Sequence, residues 1–212
     1  MTASSGTPQW IRILRVAFGV LGVVALVWVP LHSFGEDTFS TANFFSYFTI
    51  QSNILAAAVL LIGGLRDPAG RRWQVVRGAV TLYMVITGIV YAVLLAHVDV
   101  MLTDQWINVI MHRLIPIVLF VDWLLVPAGL TATAGLIGGW LAYPLVYGVY
   151  TLVRGPIVDW YPYPFIDPRD KGYGPLAITL VVLVAVFVLL AVAVLALGAV
   201  AARWRRSASN PA

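Results

Sequence analysis

Two apolar runs of this sequence carry polar side chains four residues apart. Thr49 and Asn53 stand in one run, and Asn108 and His112 stand in another. Residues four apart lie on the same face of a helix, so each run presents a polar stripe to its neighbours. A hydroxyl beside an imidazole is suited to nucleophilic chemistry, because the ring can accept the hydroxyl proton. Thr and Asn in apolar helices also serve as simple hydrogen-bond partners, so the spacing leaves both roles open.

His112 and its neighbour Arg113 are harder to explain by packing alone. An ionisable side chain inside a membrane span is costly and is therefore a candidate functional residue. Asp122 follows His112 at a distance of about 15 Å along a helix. We expect Asp122 to pair with an arginine rather than to orient His112. We expect Arg113 to meet a carboxylate, either of the protein or of a substrate.

The elements that must hold these residues are membrane helices. The chain is 61% hydrophobic and 10% charged, whereas an ordinary globular domain has about 25% charged residues. Its hydropathy divides it into six apolar runs, each near the roughly 20 residues that cross a bilayer. We place them near 10–30, 43–65, 75–98, 105–126, 132–153 and 174–202. The prediction is an all-α integral membrane protein, one domain over 1–212 formed by a bundle of six transmembrane helices.

Basic residues predict the orientation, because short loops rich in Lys and Arg stay in the cytoplasm. If six helices alternate, one side holds nine arginines: Arg12, Arg15, Arg66, Arg71, Arg72, Arg77, Arg203, Arg205 and Arg206. The other side holds Arg154, Arg169 and Lys171 with the acids Glu36, Asp37, Asp99, Asp104, Asp159, Asp167 and Asp170. Both termini are then cytoplasmic. The net charge of +4 is a topology signal and predicts no nucleic-acid partner.

The two polar stripes are predicted to lie at a similar depth. The second and fourth helices both run inward from the outer face, and each reaches its key residue after about six or seven positions. Thr49 and His112 would therefore both lie about 10 Å below the outer boundary, where they can meet. The segment 154–167 is rich in proline and aromatic residues. It is either an interfacial aromatic belt or a lid over a lipid site.

The sequence has no cysteine, which excludes disulfides, thiol nucleophiles and thiolate metal sites. His32 and His97, the other two histidines, fall in or near loops. We therefore predict no metal site and no cofactor.

Three segments resemble a known family. They are Tyr47-Phe48-Thr49 at the start of the second helix, Trp106-Ile107-Asn108 with His112 four residues later, and Tyr163-Pro164-Phe165 after the fifth helix. Together they resemble the androgen-induced transmembrane threonine hydrolases and their bacterial six-helix relatives, which cleave fatty acid esters of hydroxy fatty acids. The resemblance implies a nucleophile at Thr49 and its histidine partner at His112. The bacterial relatives imply a bacterial plasma membrane with membrane lipids around the protein, and the predicted orientation places the site toward the extracytoplasmic side.

On this reading Asn53 and Asn108 either stabilise an oxyanion or orient His112. The substrate is a lipid ester with long acyl chains, contacted by Ser52, Arg113, Tyr161 and Tyr163. The alternative is a non-enzymatic protein that binds lipid or transports a small molecule, with the same residues lining a pathway. No obvious inverted repeat or chain of acidic groups supports a transporter.

Overall fold

The computed structural model describes residues 6–33, 39–96 and 104–209. Over these ranges the chain is helical and contains no strand. The α-helices are α1 (Gln9–Ser33), α2 (Thr41–Phe45), α3 (Phe48–Leu65), α4 (Arg71–Val90), α5 (Gln105–Val109), α6 (Ile115–Leu125), α7 (Ala134–Val158), α8 (Pro168–Lys171) and α9 (Tyr173–Ser209). A short 3-10 turn at Pro164–Ile166 precedes α8.

Two π-helical turns extend these elements. α4 continues into a first π turn at Tyr91–Leu95, and a second π turn at Ile110–Leu114 joins α5 to α6. Within the described residues, six continuous helices are long and apolar enough to cross a membrane: Gln9–Ser33, Phe48–Leu65, Arg71–Leu95, Gln105–Leu125, Ala134–Val158 and Tyr173–Ser207. The predicted all-α architecture with six such helices, as in a multi-pass membrane protein, is confirmed. The predictions for Glu36, Asp37, His97 and Asp99 lie outside the described residues.

Some predicted boundaries are wrong. α4 begins at Arg71 rather than near 75, and α7 continues to Val158 rather than ending near 153. The larger error is the helix predicted over 43–65, because α2 ends at Phe45 and α3 begins only at Phe48. Between them the Ser46 hydroxyl donates to the Ala42 carbonyl oxygen at 2.7 Å, a local bond that competes with helix continuation. Thr49 consequently lies in the first turn of its helix.

Small residues let α1 lie directly against α3. A Cβ atom at Gly64 would be 2.6 Å from Val16 Cγ2 and 2.8 Å from the Arg12 carbonyl oxygen. Such close approach through glycine is typical of helix pairs in membranes. α3 in turn packs on α4, which contacts α6 and α9, and α7 packs on α9. The contacts between α3, α4 and the α5–α6 span bring the two polar stripes together.

A buried ionic cluster centred on Asp122 of α6 joins α1, α4 and α6. Asp122 accepts a hydrogen bond from Arg15 Nε of α1 at 2.6 Å and one from Arg77 Nη1 of α4 at 3.0 Å. All three side chains are buried, and Arg77 also donates to the Val126 carbonyl oxygen. The prediction that Asp122 pairs with an arginine is confirmed.

Candidate active site

Thr49 and His112, whose spacing and depth allowed a contact without deciding it, lie against each other. Thr49 Oγ1 lies 3.3 Å from His112 Nε2. Both residues are almost fully enclosed, with exposed fractions of 7% and 5%. The hydroxyl comes from the first turn of α3 and the imidazole from the second π turn. The two helices therefore present a hydroxyl and a ring nitrogen to each other inside the bundle.

A backbone carbonyl at the Nδ1 edge and an aromatic ring on one face hold the imidazole in place. His112 Nδ1 lies 3.3 Å from the Asn108 carbonyl oxygen. A carbonyl only accepts hydrogen bonds, so Nδ1 carries a hydrogen, and in the neutral ring Nε2 then offers its lone pair toward Thr49. The Tyr91 ring stacks on the imidazole with centroids 4.3 Å apart and an interplanar angle of 23°. This is the tautomer required of a general base facing a hydroxyl.

The second π turn follows from a proline. Pro116 has no backbone N–H, so the His112 carbonyl loses its usual helical donor. The Ile115 N–H instead donates to the Ile110 carbonyl oxygen five residues back, and such π turns are frequent at functional sites. Gly88 allows α4 to approach here, because a Cβ atom at that position would be only 3.2 Å from Pro116 Cβ.

Two tyrosine hydroxyls bind the amide groups that begin α3, which has no side-chain cap of its own. The Phe48 N–H donates to the Tyr147 hydroxyl at 3.2 Å, and that hydroxyl donates to the Ser46 carbonyl oxygen at 2.9 Å. The Thr49 N–H donates to the Tyr163 hydroxyl at 3.2 Å. The same Tyr163 oxygen is 3.4 Å from Thr49 Oγ1. Tyr163 thus contacts both the backbone and the hydroxyl of Thr49.

A cavity of about 240 Å³ adjoins the pair. Thr49, His112, Tyr91, Tyr147 and Tyr163 lie in its wall, and most of the remaining wall is aliphatic or aromatic. The wall residues come mainly from α4, α7 and α9 and from the segment after α7. No charged side chain of the described residues lines it. The pair therefore faces an apolar space, as a site for a hydrocarbon chain requires.

The two asparagines orient the site. Asn53 Nδ2 donates to the Thr49 carbonyl oxygen at 2.9 Å and to the Met111 carbonyl oxygen at 3.2 Å. Asn108 Nδ2 donates to the Tyr91 hydroxyl at 2.8 Å. Neither asparagine is among the described residues that line the cavity. Of the two predicted roles, the geometry favours orientation of the pair over stabilisation of an oxyanion.

Of the four predicted substrate contacts, the structure brings only Tyr163 to the cavity wall. Ser52 is buried in α3 away from the cavity, and the exposed Arg113 lies with its guanidinium carbon 5.9 Å from the Tyr91 ring centroid. Tyr161 packs its ring against α7. These three positions correct the expectation that all four side chains would share one site.

Sequence reasoning missed Tyr91 and Tyr147. Both stand in apolar runs, where an aromatic residue reads as packing, and neither has a telling spacing from Thr49 or His112. The hydroxyl group of each tyrosine could have indicated the site, because a buried tyrosine hydroxyl needs a hydrogen-bond partner. Tyrosines inside predicted spans were therefore candidates for the site.

The assembled site contains a hydroxyl, an imidazole oriented by a carbonyl, and tyrosine hydroxyls beside an apolar cavity. Within the described ranges no group of three or more His, Asp or Glu side chains is placed to hold a metal ion. No model of a known protein family matches the chain, and no curated protein or solved structure is significantly similar to it.

Proposed function

We propose that this protein is an intramembrane threonine hydrolase that cleaves lipid esters, such as fatty acid esters of hydroxy fatty acids. The observation that carries the proposal is the 3.3 Å contact between Thr49 Oγ1 and His112 Nε2 at the wall of an apolar cavity. The resemblance of three segments to the transmembrane threonine hydrolases supports the same assignment. The contact supports a nucleophilic hydroxyl, the cavity supports a hydrocarbon substrate, and the resemblance supports an ester as the reacting group.

The first half of the reaction transfers the acyl group to Thr49. His112 Nε2 accepts the hydroxyl proton while Oγ1 attacks the ester carbonyl carbon, which forms the new C–O bond and a tetrahedral oxyanion. Collapse of this intermediate breaks the bond to the alcohol oxygen. The imidazolium returns its proton to that oxygen, and the alcohol leaves. The Asn108 carbonyl stabilises the imidazolium through Nδ1 in the interval.

The second half consumes water. His112 accepts a proton from a water molecule as the water oxygen attacks the acyl-threonine carbonyl carbon. The bond between that carbon and Oγ1 then breaks, and the proton returns to Oγ1. The products are a free fatty acid and the original threonine. One histidine serves as base and acid in turn, so no further titrating group is required.

The oxyanion of either step needs hydrogen-bond donors, and Tyr163 is the best placed. Its hydroxyl oxygen lies 3.4 Å from the attacking oxygen. Burial raises the pKa of Tyr163, so its hydroxyl keeps its proton at neutral pH. The amino end of α3 adds the positive end of a helix dipole at the same place. Tyr163 is therefore assigned as an oxyanion donor.

We further assign both termini to the cytoplasm and the site to the outer half of a bacterial plasma membrane, on the distribution of arginines. This orientation places the Thr49 end of α3 toward the outer face. Water for the second step then comes from the extracytoplasmic side. The aromatic segment around Tyr163 lies between the site and that aqueous phase.

A lipid-binding protein without catalysis is the second candidate, and the wholly uncharged wall of the cavity favours it. Ester turnover by purified protein separates the two. Wild type should hydrolyse long-chain esters and Thr49→Ala should not. Thr81→Ala is the matched control, because Thr81 is also fully buried but donates to the Arg77 carbonyl oxygen away from the cavity. Absence of turnover by folded wild type would favour the binding protein.

A further inference from the structure

The wall of the cavity includes residues that are also exposed on the outside of the bundle. Leu145 and Val149 of α7 are 44% and 63% exposed, and Val184 of α9 is 40% exposed. All three line the cavity. A side chain can do both only where the wall between cavity and surroundings is thin or open. Leu145, Val149 and Val184 therefore mark a seam between α7 and α9.

Gly148 lies in the middle of this seam. It lines the cavity, and a Cβ atom built on it would meet no atom within 4 Å. The neighbouring turns of α7 carry Leu145 and Val149, so the absent side chain leaves a gap in an otherwise aliphatic wall. In a helix bundle that crosses a membrane, an exposed aliphatic seam faces lipid chains.

The cavity is also too small to enclose a long-chain lipid ester. Its volume of about 240 Å³ lies below the roughly 300–1,000 Å³ of pockets that bury a drug-sized ligand. Part of any such substrate must lie outside while its carbonyl is at Thr49. Other residues of the cavity wall, such as Ile86 and Pro144, are themselves buried and offer no such opening.

We propose that the substrate enters sideways from the bilayer through the seam between α7 and α9, and that one of its hydrocarbon chains stays in the lipid during the reaction. This inference rests on the proposed function and narrows its substrate class. The substrate is a membrane-dissolved ester with an uncharged chain next to the scissile carbonyl. Any carboxylate on it remains outside, because no charged side chain of the described residues lines the cavity.

Gly148→Phe tests the proposal by filling the seam. We expect kcat/KM for a long-chain ester presented in phosphatidylcholine vesicles to fall about 10- to 100-fold, because the ring would occupy the gap through which the hydrocarbon chain passes. Hydrolysis of the water-soluble ester p-nitrophenyl acetate should fall much less, since a short ester does not need the seam, so the ratio of the two kcat/KM values should drop about tenfold or more. The matched control is Gly138→Phe, because Gly138 lies on the same helix, also has open space at its Cβ position, and does not line the cavity.

Two results would overturn the proposal while leaving the hydrolase assignment intact. Unchanged turnover of the long-chain ester by Gly148→Phe would show that the chain enters elsewhere. Equal losses on both esters would show that the new side chain obstructs Thr49 and not the seam. Failure of the proposed function itself is seen earlier, because wild type would then hydrolyse neither ester.

Discussion

Tyr163→Phe is expected to lower kcat about 100-fold with little change in KM. The substitution removes one oxygen, and the ring keeps its stack on Phe165, with centroids 5.2 Å apart. Loss of a single oxyanion donor costs about 10²- to 10³-fold in kcat. The lower end applies because the amino end of α3 also stabilises the oxyanion and is retained in the variant. KM stays nearly constant because the bond forms mainly to the transition state.

The assay is the steady-state hydrolysis of one long-chain ester by purified variants in the same detergent. Tyr143→Phe is the matched control: its hydroxyl donates to Gln51 Oε1 of the same helix α3 at 2.6 Å, and it does not line the cavity. This control should stay within about threefold of wild type. The role given to Tyr163 is refuted if Tyr163→Phe also stays within that range, or if both variants lose activity equally.

Two further predictions concern stability, measured by thermal unfolding in detergent. Asp122→Asn should destabilise the fold by about 3–5 kcal/mol, because buried Arg77 loses its carboxylate and buried Arg15 keeps only the longer carboxylate contact to Asp67 at 3.6 Å. An unchanged Tm would contradict the ionic cluster. Gly64→Ala should cost about 1–3 kcal/mol through overlap with Val16. Gly138→Ala is the control, because a Cβ atom at Gly138 meets open space, and it should be neutral or mildly stabilising. An equal loss of stability in both alanine variants would disprove the close packing of α1 on α3.

Much of this architecture follows from simple rules. Hydropathy alone predicts six apolar helices, because each must match the thickness of a bilayer. Spacing then places Thr49 and His112 on helix faces, and equal depth in parallel spans brings them within reach of each other. The pairing of Asp122 with an arginine was also predictable, because a carboxylate buried among apolar helices requires a cation.

The remaining features depend on individual contacts that periodicity does not encode. At the break the Ser46 hydroxyl bonds to the Ala42 carbonyl oxygen and the Tyr147 hydroxyl to the Ser46 carbonyl oxygen. The second π turn depends on a proline placed four residues after His112. Both tyrosine caps of α3 come from distant positions, Tyr147 and Tyr163. Arg113 was misplaced because a one-residue step on a helix turns a side chain by about 100°, which directs it away from the face that carries His112.

The most direct test of the catalytic assignment is the mass of the protein during turnover. Wild type that is quenched with acid while hydrolysing a long-chain ester should carry one added acyl group, and peptide mapping should place it on Thr49. Thr49→Ala should show no adduct under the same conditions. An adduct on another residue, or full turnover by Thr49→Ala, would contradict the account.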